Sequence, residues 1–207
     1  MKRQRKSHET RREEIIQSAL ELAAETGTKK VTAQAIADRV GIAQPTVFRH
    51  FKTRSAIFRA AMEWIANALF AVLEKGNGGA VPADERLRRL LERQLAFIGK
   101  RRGVARLLFS DRLHLEDPEL KRTVRRIMER YMGHLEIIVR DGVESGCFRH
   151  GLEPAETSRF IAATLQGLVM RWSIYDFEFC LEDEAETLWR FLVPMLMVEP
   201  GDRGEMS

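Results

Sequence analysis

Gln44, Thr46 and Arg49 lie within six residues of one another and carry side chains suited to reading the edges of base pairs. A glutamine amide pairs bidentately with adenine, and an arginine fork reaches guanine. A threonine meets a base through its methyl or its hydroxyl. Lys52 and Arg54 follow directly and offer positive charge to phosphates, whose contacts give affinity without sequence choice. Such chemistry needs a rigid element holding Gln44, Pro45, Thr46, Arg49 and His50 on one outward side. The spacing predicts it: Val47 and Phe51, four apart, form the inward side of a short helix over 44–50, with Pro45 in the first turn where its missing amide hydrogen is not needed.

The preceding residues complete the frame. Thr32 is a suitable N-cap for a helix over 33–39, whose inner side is Ile36, Ala37 and Val40. Gly41 can take the left-handed conformation that reverses the chain. Two short helices about a tight turn form a helix-turn-helix, in which the second helix enters the major groove of duplex DNA. A first helix over 10–26 packs behind them through Ile15, Ile16, Ala19, Leu22 and Ala23, ending at Gly27.

Helical periodicity continues through the remaining chain. A long helix over 53–75 joins the reader to the body, and GNGGAVP, 76–82, is a loop. Further helices are expected over 84–100, 104–115, 118–145, 154–175 and 182–197, with Asp117-Pro118 a cap and first-turn proline. The fold class is therefore all-α with about nine helices: a three-helix DNA-binding domain over 1–54, then a helical effector-binding and dimerisation domain over 55–207. The last two helices carry more apolar surface than one core needs, around small residues that permit close approach. Phe160, Ala163 and Gly167 on the first, with Leu188, Leu192 and Met195 on the second, are the expected dimer interface, a four-helix bundle built from two chains.

Composition narrows the function classes. The 207 residues carry a net charge of +4, but residues 1–54 hold 12 Lys/Arg against 6 Asp/Glu, whereas 55–207 hold 22 against 24. Attraction to a polyanion is thus concentrated at the N-terminal end, where Lys2 to Lys6 are further phosphate candidates. No apolar run is read as a membrane span and no secretion signal is read at the N-terminus, so a cytoplasmic protein is expected. Cys147 and Cys180 form no CxxC motif and are expected to stay reduced. The five histidines show no ligand spacing, so no metal is expected. With no phosphate loop, nucleophile motif or convergent acid–base set, the chain reads as a non-enzyme needing no cofactor.

The IIQSALEL run of the first helix, followed by VTAQAIADRVGIAQPTVFRHFKTRSAIF, resembles the DNA-binding domain of the TetR family of bacterial transcriptional regulators, over roughly residues 10–60. The resemblance implies a homodimeric repressor on a near-palindromic operator. It implies that Thr32 touches phosphate, that Gln44, Pro45 and Thr46 face base edges, that Phe48 and His50 lie along the backbone, and that Arg54 opens the fourth helix as its basic residue. Phe48 stands where tyrosine is common, Pro45 where glycine is frequent and Arg54 where lysine is usual, so the operator sequence does not carry over.

Such a regulator needs two states, and a small apolar or amphipathic effector among the body helices is the expected trigger, with the helix over 53–75 as lever. Candidate pocket residues are Phe97, Phe109, Met128, Tyr131, Met132, Leu135, Trp172 and Tyr175. His134 and Arg171 join them because each stands in a largely apolar helix and needs a polar partner. The competing expectation is a DNA-binding factor with no effector, acting architecturally or under a protein partner.

Overall fold

The computed structural model describes residues 7–74 and 81–197. Nine α-helices form among them: α1 His8–Thr26, α2 Ala33–Val40, α3 Gln44–His50, α4 Arg54–Leu73, α5 Ala83–Gly99, α6 Arg102–Leu108, α7 Pro118–Glu144, α8 Pro154–Ile174 and α9 Glu184–Leu196. The described residues hold no strand, only an isolated antiparallel bridge between Phe148 and Met197. Lys2 to Lys6 and most of the 76–82 loop lie outside the described residues.

Two compact units emerge. The first comprises the chain through Asn67 together with Arg101–Arg125; the second comprises Ala68–Lys100 and the chain from Arg126 onward. Helices α4 and α7 contribute to both, and the division differs from the functional boundary expected at residue 54.

In the first unit, α1 packs on α2 and α6. Ile15, Ile16, Ala19, Leu22 and Ala23 are buried, as their spacing requires. Gly103 of α6 meets the α1 backbone so closely that a Cβ there would fall 2.0 Å from the Leu20 carbonyl oxygen. Only glycine permits that approach, and no local pattern in the sequence announces it.

The helix expected over 104–115 is interrupted. It ends at Leu108, and a separate π-type turn, Arg112–Glu116, follows. Ser110 is the physical cause: its hydroxyl donates to the Leu107 carbonyl at 2.7 Å and accepts the Leu113 amide at 3.4 Å, offering the backbone an alternative to helix. Asp117 then caps α7 by accepting the Leu120 amide at 2.9 Å, and its other oxygen accepts from Ser55 at the start of α4.

In the second unit, α5 packs on α9, and α5 buries Leu87, Leu90, Leu91, Leu95, Phe97 and Ile98. Helix α4 corrects one sequence reading: Arg54–Leu73 does have the length and composition of a membrane span. Its Ile57, Phe58, Ala61 and Ile65 are buried within the chain, the signature of a core helix. Cys147 is half-buried and Cys180 exposed, both as free thiols; burial pushes the Cys147 thiol up, away from the reactive thiolate.

Candidate nucleic-acid interface

The turn between α2 and α3 is fixed by a closed set of backbone bonds. Gly41 adopts φ 71°, ψ 44°; its amide donates to the Asp38 carbonyl at 3.2 Å, and the Ile42 amide donates to the Ala37 carbonyl at 2.9 Å. This Schellman geometry satisfies the last carbonyls of α2 and sets the direction in which α3 begins. At the other end of α2, the Thr32 hydroxyl accepts the Ala35 amide at 3.1 Å, while Thr32 itself stays exposed.

α3 is held from behind and open in front. Val47 and Phe51 are buried, together with Ile36 and Ala37 of α2, whereas Val40 is only half-buried, less than its spacing implied. Pro45, Phe48, Arg49 and Lys52 are exposed, and Gln44, Thr46 and His50 are half-buried. Arg49 Nη2 donates to the Thr46 hydroxyl at 3.1 Å, which gathers two of the three base-reading candidates into one hydrogen-bonded pair.

Three cationic contacts brace this frame, and the sequence reading missed two of them. Arg12 of α1 donates to the His50 carbonyl at 2.9 Å, satisfying an end of α3, and lies over the Phe51 ring at 4.3 Å. Arg39 of α2 grips Glu25 of α1, Nη1 to Oε1 at 2.8 Å, with Glu21 at 3.5 Å. The pair lowers the Glu25 pKa and raises that of Arg39 through the hydrogen bond between them. Partners 14 and 38 residues apart in sequence leave no local signal. The third, Arg54, was expected at phosphate; within the chain it donates to the carbonyls of Lys29 and Val31 at 3.3 and 3.4 Å, bracing the backbone just before Thr32.

His50 has an unusual setting. Its ring lies 4.4 Å from the His8 ring, and Nδ1 is buried with no hydrogen-bond partner. Burial first, then the charges of His8, Arg12, Arg49 and Arg11, hold its pKa below the usual histidine value.

The pocket candidates are only partly brought together. Phe97, Tyr131, Leu135 and Trp172 are buried in the second unit, and Met128, Met132 and His134 are half-buried there. His134 stacks on Phe70 at 5.2 Å, and Trp172 Nε1 donates to the Phe179 carbonyl at 2.9 Å. Phe109 belongs to the first unit and is exposed. Tyr175 is exposed, and Arg171 is exposed and paired with Glu184 at 2.9 Å, so its polar partner is another side chain.

The expected dimer face needs a similar correction. On α8, Phe160, Ala163 and Gly167 are exposed and continue through Met170 and Ile174, the last 65% exposed, as one stripe at helical spacing. On α9, however, Leu188 and Leu192 are buried inside the chain and Met195 is half-buried; Phe191, 72% exposed, is the outward residue. Leu188 and Leu192 lie on the face of α9 that closes the chain's own core, which periodicity alone does not distinguish from an outer apolar face.

A buried-backed helix after a Schellman turn, with an outward polar and basic side, defines a helix-turn-helix DNA-binding protein. The family model for bacterial regulatory proteins of the tetR family matches residues 15–61, and that for the tetracyclin repressor-like C-terminal domain matches 80–173. The chain belongs to the TetR family of DNA-binding transcriptional regulators, whose members dimerise. It is 27% identical over 187 residues to the nucleoid occlusion factor SlmA of Vibrio vulnificus, a match spanning 88% of this chain and 93% of that protein. The fold is similar to that of the regulator FadR from Bacillus subtilis in complex with stearoyl-CoA, with a TM-score of 0.70, 22% identity and coverage of 87% of this chain and 97% of that one. It is also similar to a transcriptional regulator from Saccharomonospora viridis in complex with choline, with a TM-score of 0.78, 20% identity and coverage of 92% and 100%.

Proposed function

We propose that the chain acts as a homodimeric repressor on a near-palindromic operator and is released by a small apolar or amphipathic effector. Residues 1–54 carry the DNA reading, and residues 55–207 the pairing and effector response. The observation that carries this reading is the outward side of α3, where Arg49 and Thr46 are joined at 3.1 Å beside Gln44, on a helix anchored by Val47 and Phe51. In this reading Gln44, Thr46 and Arg49 choose sequence, and Pro45 limits which base pair fits at the start of α3. Thr32, Lys52 and Arg54 hold phosphates, with Phe48 and His50 against the sugar-phosphate backbone.

The apolar stripe of α8 with Phe191 supports pairing with a second copy. Two recognition helices then meet successive major grooves if their centres stand about 34–36 Å apart or a multiple of it. The effector reading draws support from the buried aromatic and half-buried methionine side chains of the second unit and from structural relatives solved with stearoyl-CoA and with choline. α4 is the lever in this scheme; a hundredfold loss of operator affinity requires about 2.7 kcal/mol of differential effector binding.

A second reading, a DNA-binding factor governed by a protein partner, is favoured by one observation: the curated relative matched over 88% of this chain is named a nucleoid occlusion factor. Selection of duplexes from random DNA tests the main proposal. The expected result is an inverted repeat, with Gln44→Ala relaxing preference at one base step per half-site by about 1–3 kcal/mol. Equal loss on selected and scrambled duplexes overturns the assignment of Gln44.

A further inference from the structure

The first turn of α4 is tied to two other parts of the first unit by adjacent residues. Arg54 donates to the carbonyls of Lys29 and Val31 at 3.3 and 3.4 Å, the backbone that leads into α2. Ser55 donates to Oδ2 of Asp117, the residue that opens α7. One turn further along α4, Arg59 Nη1 reaches Glu119 Oε2 at 3.2 Å.

Burial singles out the bond from Ser55. Asp117 is 6% exposed, and a carboxylate so enclosed needs partners to hold it. Its oxygens divide the work: Oδ1 accepts the Leu120 amide at 2.9 Å as the cap of α7, and Oδ2 is left for Ser55. The Ser55 hydroxyl is not needed to start its own helix, because the Thr53 hydroxyl already accepts the Ala56 amide at 3.0 Å. The bond therefore joins two helices, and as a charge-assisted bond out of water it is worth more than an exposed one. Arg59 with Glu119, and Lys29 with Asp111 at 3.2 Å, are more exposed, so screening leaves them smaller parts.

The consequence is angular. α4 has 20 residues and follows the recognition helix after a short connection. At roughly 30 Å of helix, a tilt of about 6° carries one end through about 3 Å, close to the rise of one base pair. Joining Ser55 to Asp117 removes that freedom, because the start of α4 then moves only with the start of α7.

We propose that Ser55 and Asp117 are positioning residues that select the spacing between operator half-sites without touching a base or a phosphate. This rests on the homodimeric operator reading above and adds to it a determinant that lies outside the helix-turn-helix. Gln44, Thr46 and Arg49 choose bases within each half-site; the bond between Ser55 and Asp117 chooses the distance between the halves.

The test uses the full-length protein on the duplex obtained by random selection, with its spacer unchanged, shortened by one base pair, or lengthened by one or two. A duplex with a single half-site is the control. Binding is followed by fluorescence anisotropy for wild type, Ser55→Ala, Ser55→Thr and Asp117→Asn. Wild type is expected to lose about tenfold or more on each altered spacer, because the two readers no longer engage together. Ser55→Ala is expected to bind every spacer within about threefold of the selected one and the single half-site as wild type does. Ser55→Thr keeps the hydroxyl and should restore the wild-type profile. Asp117→Asn, which retains the cap acceptor but loses the charge, should flatten the profile in the same direction and serves as second variant if Ser55→Ala folds poorly. A wild-type profile in both Ser55→Ala and Asp117→Asn overturns the proposal while leaving the operator reading intact. So does an equal fall on the single half-site and on every spacer, which marks the bond as structural only. Selection that returns no inverted repeat overturns the operator reading and this inference with it.

Discussion

The outward sides of α3 and α8 are built on the same plan and end in opposite chemistry. Each helix is anchored by a buried apolar row, Val47 with Phe51 in one case and Ile161, Leu165, Val169 and Trp172 in the other. What α3 turns outward is mostly polar and basic, with Pro45 and Phe48 exposed among it; α8 carries an exposed apolar stripe of Phe160, Ala163, Gly167, Met170 and Ile174. A polyanion pairs with the first surface through charge and hydrogen bonds, and the second gains only by being covered with apolar surface. Anchoring therefore decides whether a helix is presented at all, and outward composition decides to what.

The contrast breaks most severely at the anchor. Phe51→Ala removes a buried ring under the recognition helix and should cost about 3–5 kcal/mol in denaturant unfolding, with DNA binding lost and the oligomeric state kept. Loss of the dimer in this variant would show that the two surfaces are not separable. At the stripe, Ile174→Glu places a charge in the proposed copy-to-copy contact; sedimentation should report a folded monomer whose operator affinity falls at least about hundredfold, since bivalent binding is lost. An unchanged dimer would remove α8 from the interface.

A smaller effect separates positioning from reading. Arg54→Ala should weaken selected and scrambled duplexes alike and reduce the salt slope by about 0.9 for the one phosphate released. The smallest effect is a pH dependence. Because the folded protein holds His50 below the unfolded value of about 6.5, acidification through that value protonates the unfolded chain first, and stability falls until the lower folded value is reached. Above about 6.5 this contribution is flat. His50→Gln should flatten the acid limb of a stability-against-pH curve; an unaltered slope would assign the limb to other groups.

Much of the reader was legible in advance, because its determinants are local. The span of α3, the cap at Thr32 and the reversal at Gly41 each depend on residues within four positions, where side-chain type and backbone conformation are directly coupled. The braces were not: Arg12 to the end of α3 and Arg39 to Glu25 join residues that only folding brings near. Ser110 shows a different failure, since a serine at that point is compatible with helix until its hydroxyl is seen competing for the backbone.

The sequence by itself determined the nine-helix pattern, the helix-turn-helix and the polar set on α3, since period, caps and turns are written in neighbouring residues. Tertiary structure alone decided which apolar rows were spent on the chain's own core and which stayed outward. It buried Leu188 and Leu192, exposed Phe191, and set Arg12 against the end of α3. The physical reason is that hydrophobicity and hydrogen-bonding capacity belong to the side chain, whereas their satisfaction belongs to whatever distant surface packs against it.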